Sequence, residues 1–159
     1  MCTIWLQQAR GPDHPAACGA QGSGPRNLLT WCTHSHGNLV FVNLDGELDI
    51  ASAPALAWRL APLAETGCYL VLDLAGLRFC DCAGLSLFLR LRQRVISAGG
   101  SLHLTAATAP VCRLIAQTNL HHLLPVAAEP VEVISVLDCD AATAAPPPRL
   151  LTTSARRAL

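Results

Sequence analysis

Lysine is absent from this 159-residue chain, and all eleven of its basic residues are arginine. Eleven Asp and Glu residues balance them, so neither sign of charge dominates. That balance removes the usual reason to expect nucleic acid or an anionic membrane surface as a partner. Aromatics are scarce at 4%, so a hydrophobic fraction of 52% draws heavily on alanine. No apolar run is long enough to span a bilayer. The first ten residues lack a basic start followed by an apolar stretch, and no secretory signal is read there. The arginine-only, alanine-rich make-up matches GC-rich bacterial coding.

Cysteine, by contrast, is plentiful, with eight residues. Cys32, Cys68, Cys80 and Cys112 fall on or beside apolar segments, where a reduced thiol behaves as a small hydrophobe. The expectation is a soluble protein of the reducing cytoplasm, without disulfides. His34, His36, His121 and His122 show none of the spacings of a zinc site and read as solvated loop residues. No glycine-rich phosphate loop and no Ser/His/Asp arrangement is present. No metal, cofactor or catalytic residue is therefore expected, and the chain does not read as an enzyme.

Residues 1–27 carry Gly, Pro, Gln and Ser without periodicity and read as a flexible leader, or as sequence ahead of a start further in. Residues 138–159, with Pro146 to Pro148, read as a disordered tail. The folded domain spans residues 28–137, a usual size.

Within it, Leu28 to Thr33 and Leu39 to Leu44 predict a hairpin around the His34 to Asn38 turn, with Glu47 and Leu48 continuing the pairing. A helix starts at Ser52 as N-cap with Pro54 in its first turn, and Pro62 should break or kink its end. Tyr69 to Leu74 is continuously apolar, as in a strand covered on both faces. A helix from Ala83 to about Ala98 places Leu85, Phe88, Leu89, Leu91, Val95 and Ile96 inward. Its wet face holds Ser86, Arg90, Gln93, Arg94 and Ser97, and Gly99-Gly100 ends it. Leu102 to Ala106 is the next strand, and Thr108 caps a helix that stops at Asn119. Leu120 to Val126 adds an edge segment and Val131 to Leu137 a closing helix. Alternation of strand and helix predicts an α/β fold with helices on a mixed sheet.

Four stretches resemble one known family. Leu44-Asp45-Gly46-Glu47-Leu48-Asp49 followed by Ser52-Ala53-Pro54 is similar to its G-E-L-D segment and first helix. Val71 to Leu74 with Phe79-Cys80-Asp81 resembles the strand and loop ahead of a D-S-[ST]-G signature. Ala98 to Leu102 matches an A-G-G turn, and Pro110 to Leu120 resembles the family's P-x-V-x-R-L helix with Asn119 replacing Gly. In this order and spacing they identify a STAS domain of the anti-sigma-factor antagonists, over roughly Asn38 to Leu137.

The resemblance implies a STAS-type mixed β-sheet of four to five strands with helices packed against it. It implies an anti-anti-sigma factor that binds a serine-kinase-type anti-sigma factor and so releases a sigma factor, as a monomer or weak dimer. The partner surface is expected at Asp49, Ser52, Ala53, Asp81, Cys82, Ala83, Gly84 and Leu87. Leu87 lies between the wet and buried faces of its helix, and is a contact if exposed but core if covered. In the family the first hydroxyl after the aspartate takes up phosphate, which breaks the complex by adding nearly two negative charges. Here that slot is Cys82 and the next is Ala83, so neither offers a hydroxyl. A partner-switching protein without its usual switch is the leading expectation, and Ser86 is a possible substitute acceptor.

Two other readings stay open. One is a STAS subunit of a transporter or of a multi-protein stress complex. The other is a redox sensor using Cys82, whose place at a helix N-terminus favours thiolate. Cys80 two residues away makes a strained partner for it. Asp45, Glu47, Asp49 and Asp73 read as turn, cap and structural groups rather than catalytic carboxylates.

Overall fold

A computed structural model of the chain describes residues 20–23 and 29–128. Its elements are β1 (Ala20–Ser23), β2 (Leu29–His36), β3 (Leu39–Leu48), α1 (Ala53–Ala64), β4 (Tyr69–Cys80), α2 (Cys82–Ser97), β5 (Ser101–Thr105), α3 (Ala109–Gln117) and β6 (Val126–Ala127). They form one sheet in chain order, antiparallel from β1 to β3 and parallel from β3 to β6. Parallel neighbours need a crossover, and α1, α2 and α3 supply the three.

The mixed α/β sheet expected from the alternation is present, with six strands rather than four to five. The added strand, β1, lies at one edge, and β6, at the end of the expected edge segment, lies at the other. β1 falls inside the stretch read as leader, and β6 spans only two residues. Neither is long enough to show an alternating pattern, and each exists through pairing with its neighbour.

Strand alternation divides the sheet into two faces. Val40, Val42 and Leu44 from β3 and Leu70, Leu72 and Leu74 from β4 share the face on which Leu56, Leu60, Phe88, Leu91 and Ile115 pack. Complete burial of each such side chain stabilises the fold by about 1.5–3 kcal/mol. The helices therefore close one continuous core.

Several local expectations are corrected by this register. The hairpin turn is only Gly37-Asn38, with Gly37 at φ 58°, because Ser35 pairs with Val40 and His36 with Leu39. His34 thereby joins β2 and is buried, not a solvated loop histidine. β4 runs past Leu74 to Cys80, since its pairing with β3 survives two register shifts. Pro62 lies inside α1 without ending it. Thr108 makes no side-chain cap, and its hydroxyl donates instead to the Leu77 carbonyl at 2.7 Å. Asn119 does take the left-handed conformation expected of it, at φ 55°. Ile96 is exposed rather than inward. Of the expected Leu120 to Val126 edge segment only Val126 is strand, continuing into Ala127. The closing helix at 131–137 and the tail lie outside the described residues.

Cysteine chemistry is also corrected at one position. Cys32 is disulfide-bonded, whereas Cys68, Cys80, Cys82 and Cys112 are free. Spacing alone gives no hint of this, because a disulfide depends on approach in space. No described helix is long and apolar enough to cross a membrane.

Candidate functional site

β3 and β4 are parallel and end level with one another, with Leu48 paired to Cys80. The Asp81 N–H donates to the Leu48 carbonyl at 3.1 Å and closes the ladder. The loops that follow the two strands consequently emerge side by side. In open α/β sheets, that carboxyl edge is where binding groups gather.

The first loop, Asp49 to Ser52, is organised by its own side chains. Asp49 Oδ1 accepts the N–H groups of Ala51 at 2.9 Å and Ser52 at 2.8 Å. These bonds, the Ser52 amide first, hold the Asp49 carboxyl below its ordinary pKa. Ser52 reciprocates, its Oγ accepting the Asp49 N–H and donating to the Glu47 carbonyl, both at 2.9 Å. Ser52 was expected to cap α1 with its side chain, but it makes no such bond. Its hydroxyl is already engaged by the turn.

The second loop is a single residue. Asp81 has extended backbone and is the N-cap of α2, its Oδ1 accepting from Ala83 N–H at 2.8 Å and Gly84 N–H at 3.0 Å. Its other oxygen, Oδ2, accepts the Ile50 N–H at 3.2 Å. One carboxylate thus caps the helix and joins the two loops.

Gly84 is required by proximity. A Cβ there would lie 2.6 Å from Cys80 Sγ and 2.9 Å from Leu48 Cγ, so the first turn of α2 rests directly on the strand ends. That contact fixes the height at which Cys82 and Ala83 stand.

Of the eight residues expected at a partner surface, Asp49, Asp81, Cys82 and Ala83 reach solvent at this edge. Ser52, Ala53, Gly84 and Leu87 are buried. They shape the edge from beneath, Ala53 as part of the floor of a recess there. Leu87 is 1% exposed and belongs to the hydrophobic core.

Residues not singled out from the sequence complete the edge. Ile50 is 77% exposed and lines a recess with Ala53, Pro54, Ala83, Ser86 and Arg90. From the sequence Ile50 is merely a member of the Asp49 to Ala53 loop. An isoleucine outside any periodic pattern is the signal that points to it. Trp58 on α1 is likewise exposed, at 81%, outside that recess.

Cys82, the first residue of α2, is exposed and free, and its carbonyl accepts from the Ser86 hydroxyl at 2.7 Å. Cys80 is buried, and burial, with the negative charges of Asp81 and Cys82 beside it, pushes its thiol up to about 12. It therefore stays protonated and is a poor resolving partner. Asp73 is buried and accepts the Ala75 N–H at 3.0 Å, the structural role expected of it. Among the described residues, no cluster of His, Cys, Asp or Glu is placed to share a metal ion.

A mixed sheet with its helices on one face, and two loops locked together at the ends of its central parallel strands, defines the STAS type of α/β domain. The model of the STAS domain family matches residues 31–132, and the chain belongs to that family. It is 36% identical over 92 residues to the anti-sigma-B factor antagonist of Bacillus subtilis (strain 168), covering 58% of this chain and 84% of that protein. It is 27% identical over 114 residues to the anti-sigma F factor antagonist of Paenibacillus polymyxa, covering 70% of this chain and 97% of the other. The crystal structure of an anti-sigma factor antagonist from Mycobacterium paratuberculosis superposes with a TM-score of 0.64 at 22% identity, over 74% of this chain and 99% of that one. That likeness carries the fold.

Proposed function

We propose that this protein is an anti-sigma factor antagonist that binds a kinase-type anti-sigma factor through the Asp49 to Ala51 loop and the tip of α2. Binding occupies the anti-sigma factor and so releases its sigma factor. The carrying observation is the Asp81 carboxylate, which holds both loops in one surface at the edge where Cys82 stands exposed and Ala83 half-buried. Family membership and the two antagonist relatives support the choice of partner. The role is that of a binding module, with no substrate turned over.

The acceptor slots distinguish this chain. A kinase transfers phosphate to a hydroxyl oxygen, and Cys82 and Ala83 present a thiol and a methyl group. The antagonist therefore stays competent to bind where a phosphorylatable one is switched off by added charge.

The test uses kinase-type anti-sigma factors encoded in the same genome, each incubated with the protein and ATP. Wild type should form a stable complex and carry no phosphate by mass spectrometry. A Cys82→Ser, Ala83→Ser variant should take up one phosphate at position 82 and lose affinity. Stoichiometric label on wild type, at Ser86 for example, would overturn the unswitched reading. A membrane transporter recovered in place of a soluble kinase would overturn the choice of partner.

A further inference from the structure

Between α1 and α2 runs a groove that begins at the proposed binding edge and continues along the full length of both helices. Three recesses follow one another in it. The first holds Ile50 and Pro54, the second Ala57 and Leu91, and the third Glu65 and Gln93. Arg90 lines all three, and Arg94 lines the second and third. The groove is open because α1 presents alanine at Ala53 and Ala57, where a larger side chain would fill it.

Two features show what would occupy it. Arg90 and Arg94 are exposed, one helical turn apart, and their guanidinium groups make no hydrogen bond or ion pair among the described residues. Two unengaged guanidinium groups at that spacing match carboxylates one turn apart on a facing helix. Trp58 stands one turn beyond Pro54 on the α1 side, 81% exposed, and Ile50 marks the groove's mouth at 77%. Exposed tryptophan and arginine are the side chains that most often anchor an interface, and Trp58 directly follows the groove-lining Ala57 on α1. An amphipathic helix fits a groove between two helices by ridge-and-groove packing.

We infer that this groove receives an acidic amphipathic helix of the anti-sigma factor, its carboxylates on Arg90 and Arg94 and its apolar side against Trp58 and Ile50. The inference rests on the function proposed above and extends the contact from the helix tip down the α1–α2 seam. Glu65, at the end away from the tip, sets the direction: the acidic turns of the incoming helix lie toward Arg90, and a basic residue meets Glu65.

The experiment titrates the full chain with each purified kinase-type anti-sigma factor from the same genome, by calorimetry at low and high salt. Wild type is compared with Arg90→Glu/Arg94→Glu, the milder Arg90→Gln/Arg94→Gln, Trp58→Phe, and Ala83→Arg at the tip. Circular dichroism checks that each variant is folded. The charge-reversed pair should bind about tenfold more weakly or worse, the Gln pair should lie between, and the salt dependence should shrink in both. Tryptophan emission should shift to the blue on binding in wild type and shift less in Trp58→Phe. Loss of binding in Ala83→Arg, with both arginine pairs within twofold of wild type, would overturn the groove and leave the antagonist reading standing. Failure of every anti-sigma factor to bind wild type would remove both.

Discussion

Asp81 and Ile50 lie 31 positions apart in the chain, and the carboxylate of one accepts the backbone N–H of the other at 3.2 Å. The same carboxylate caps α2 through Ala83 and Gly84. The binding edge is thus organised around a single side chain, and its stability and its shape are coupled.

Asp81→Ala removes the cap and the tie together. Loss of an N-cap aspartate costs about 0.5–2 kcal/mol, a few degrees in melting temperature for a chain of this size. Asp81→Ser should recover much of the cap without restoring the bond to Ile50. Partner affinity should therefore fall in both variants, while stability falls mainly in the alanine variant. Equal affinity in Asp81→Ser and wild type would show that the tie to Ile50 is irrelevant to binding.

Leu87 and Ile50 should exchange the roles that hydropathy alone suggests. Leu87→Ala opens a cavity in the core and should cost about 2–5 kcal/mol, read from urea midpoints. Ile50→Ala, at an exposed position, should change stability by no more than about 0.5 kcal/mol and yet weaken partner binding. A stable Leu87→Ala protein would contradict the core assignment.

Thiol reactivity should separate the four cysteines that are free among the described residues. Native-state alkylation followed by peptide mass spectrometry should label Cys82 and Cys112 quickly, because both are exposed. Cys80 should resist, with its thiol pushed up to about 12, and Cys68 should resist because burial raises its pKa. Rapid labelling of Cys80 in folded protein would show that the first turn of α2 opens.

Acid should destabilise the fold in two windows. Burial lowers the His103 pKa, so between that folded value and the ordinary value near ~6.5 the unfolded chain binds more protons. Stability from neutral His103 is complete above about pH 6.5 and is lost as pH falls through the folded pKa. Asp49 acts lower, its depressed pKa giving stability that is complete above about pH 3.9 and lost as pH falls through the folded value. Urea midpoints across this range should drop first in the upper window, and His103→Gln should flatten that limb alone. An unchanged limb in His103→Gln would assign it to another group.

Much of the fold is legible in the sequence because its strongest elements are periodic. Leu85, Phe88, Leu91 and Val95 announce the buried stripe of α2, and Leu70 to Leu74 a strand covered by helices. The site is legible only in part. Asp81 is recognisable as a cap, and Cys82 and Ala83 are recognisable as filling hydroxyl slots, since both facts are local. Ile50 and Leu87 are not, because one apolar residue in a loop and one at the border of a helical stripe look alike until the neighbouring helix is placed. Ser52 reads as a side-chain cap for a similar reason, whereas its hydroxyl closes the turn with Asp49. Either oxygen can cap a helix, and only the closed turn shows which is taken.

The sequence by itself determined the order of strands and helices from β2 to α3, the apolar stripes that hold them together, and the thiol and methyl side chains in the acceptor slots. These follow from periodicity and residue chemistry, which act within a few positions of the chain. The tertiary structure alone decided that the β3 and β4 loops meet at Asp81, that Leu87 is covered, and that Arg90 and Arg94 stand unengaged along a groove. Those facts depend on the packing of segments distant in sequence, and on which side chain reaches a buried amide or a covering helix first.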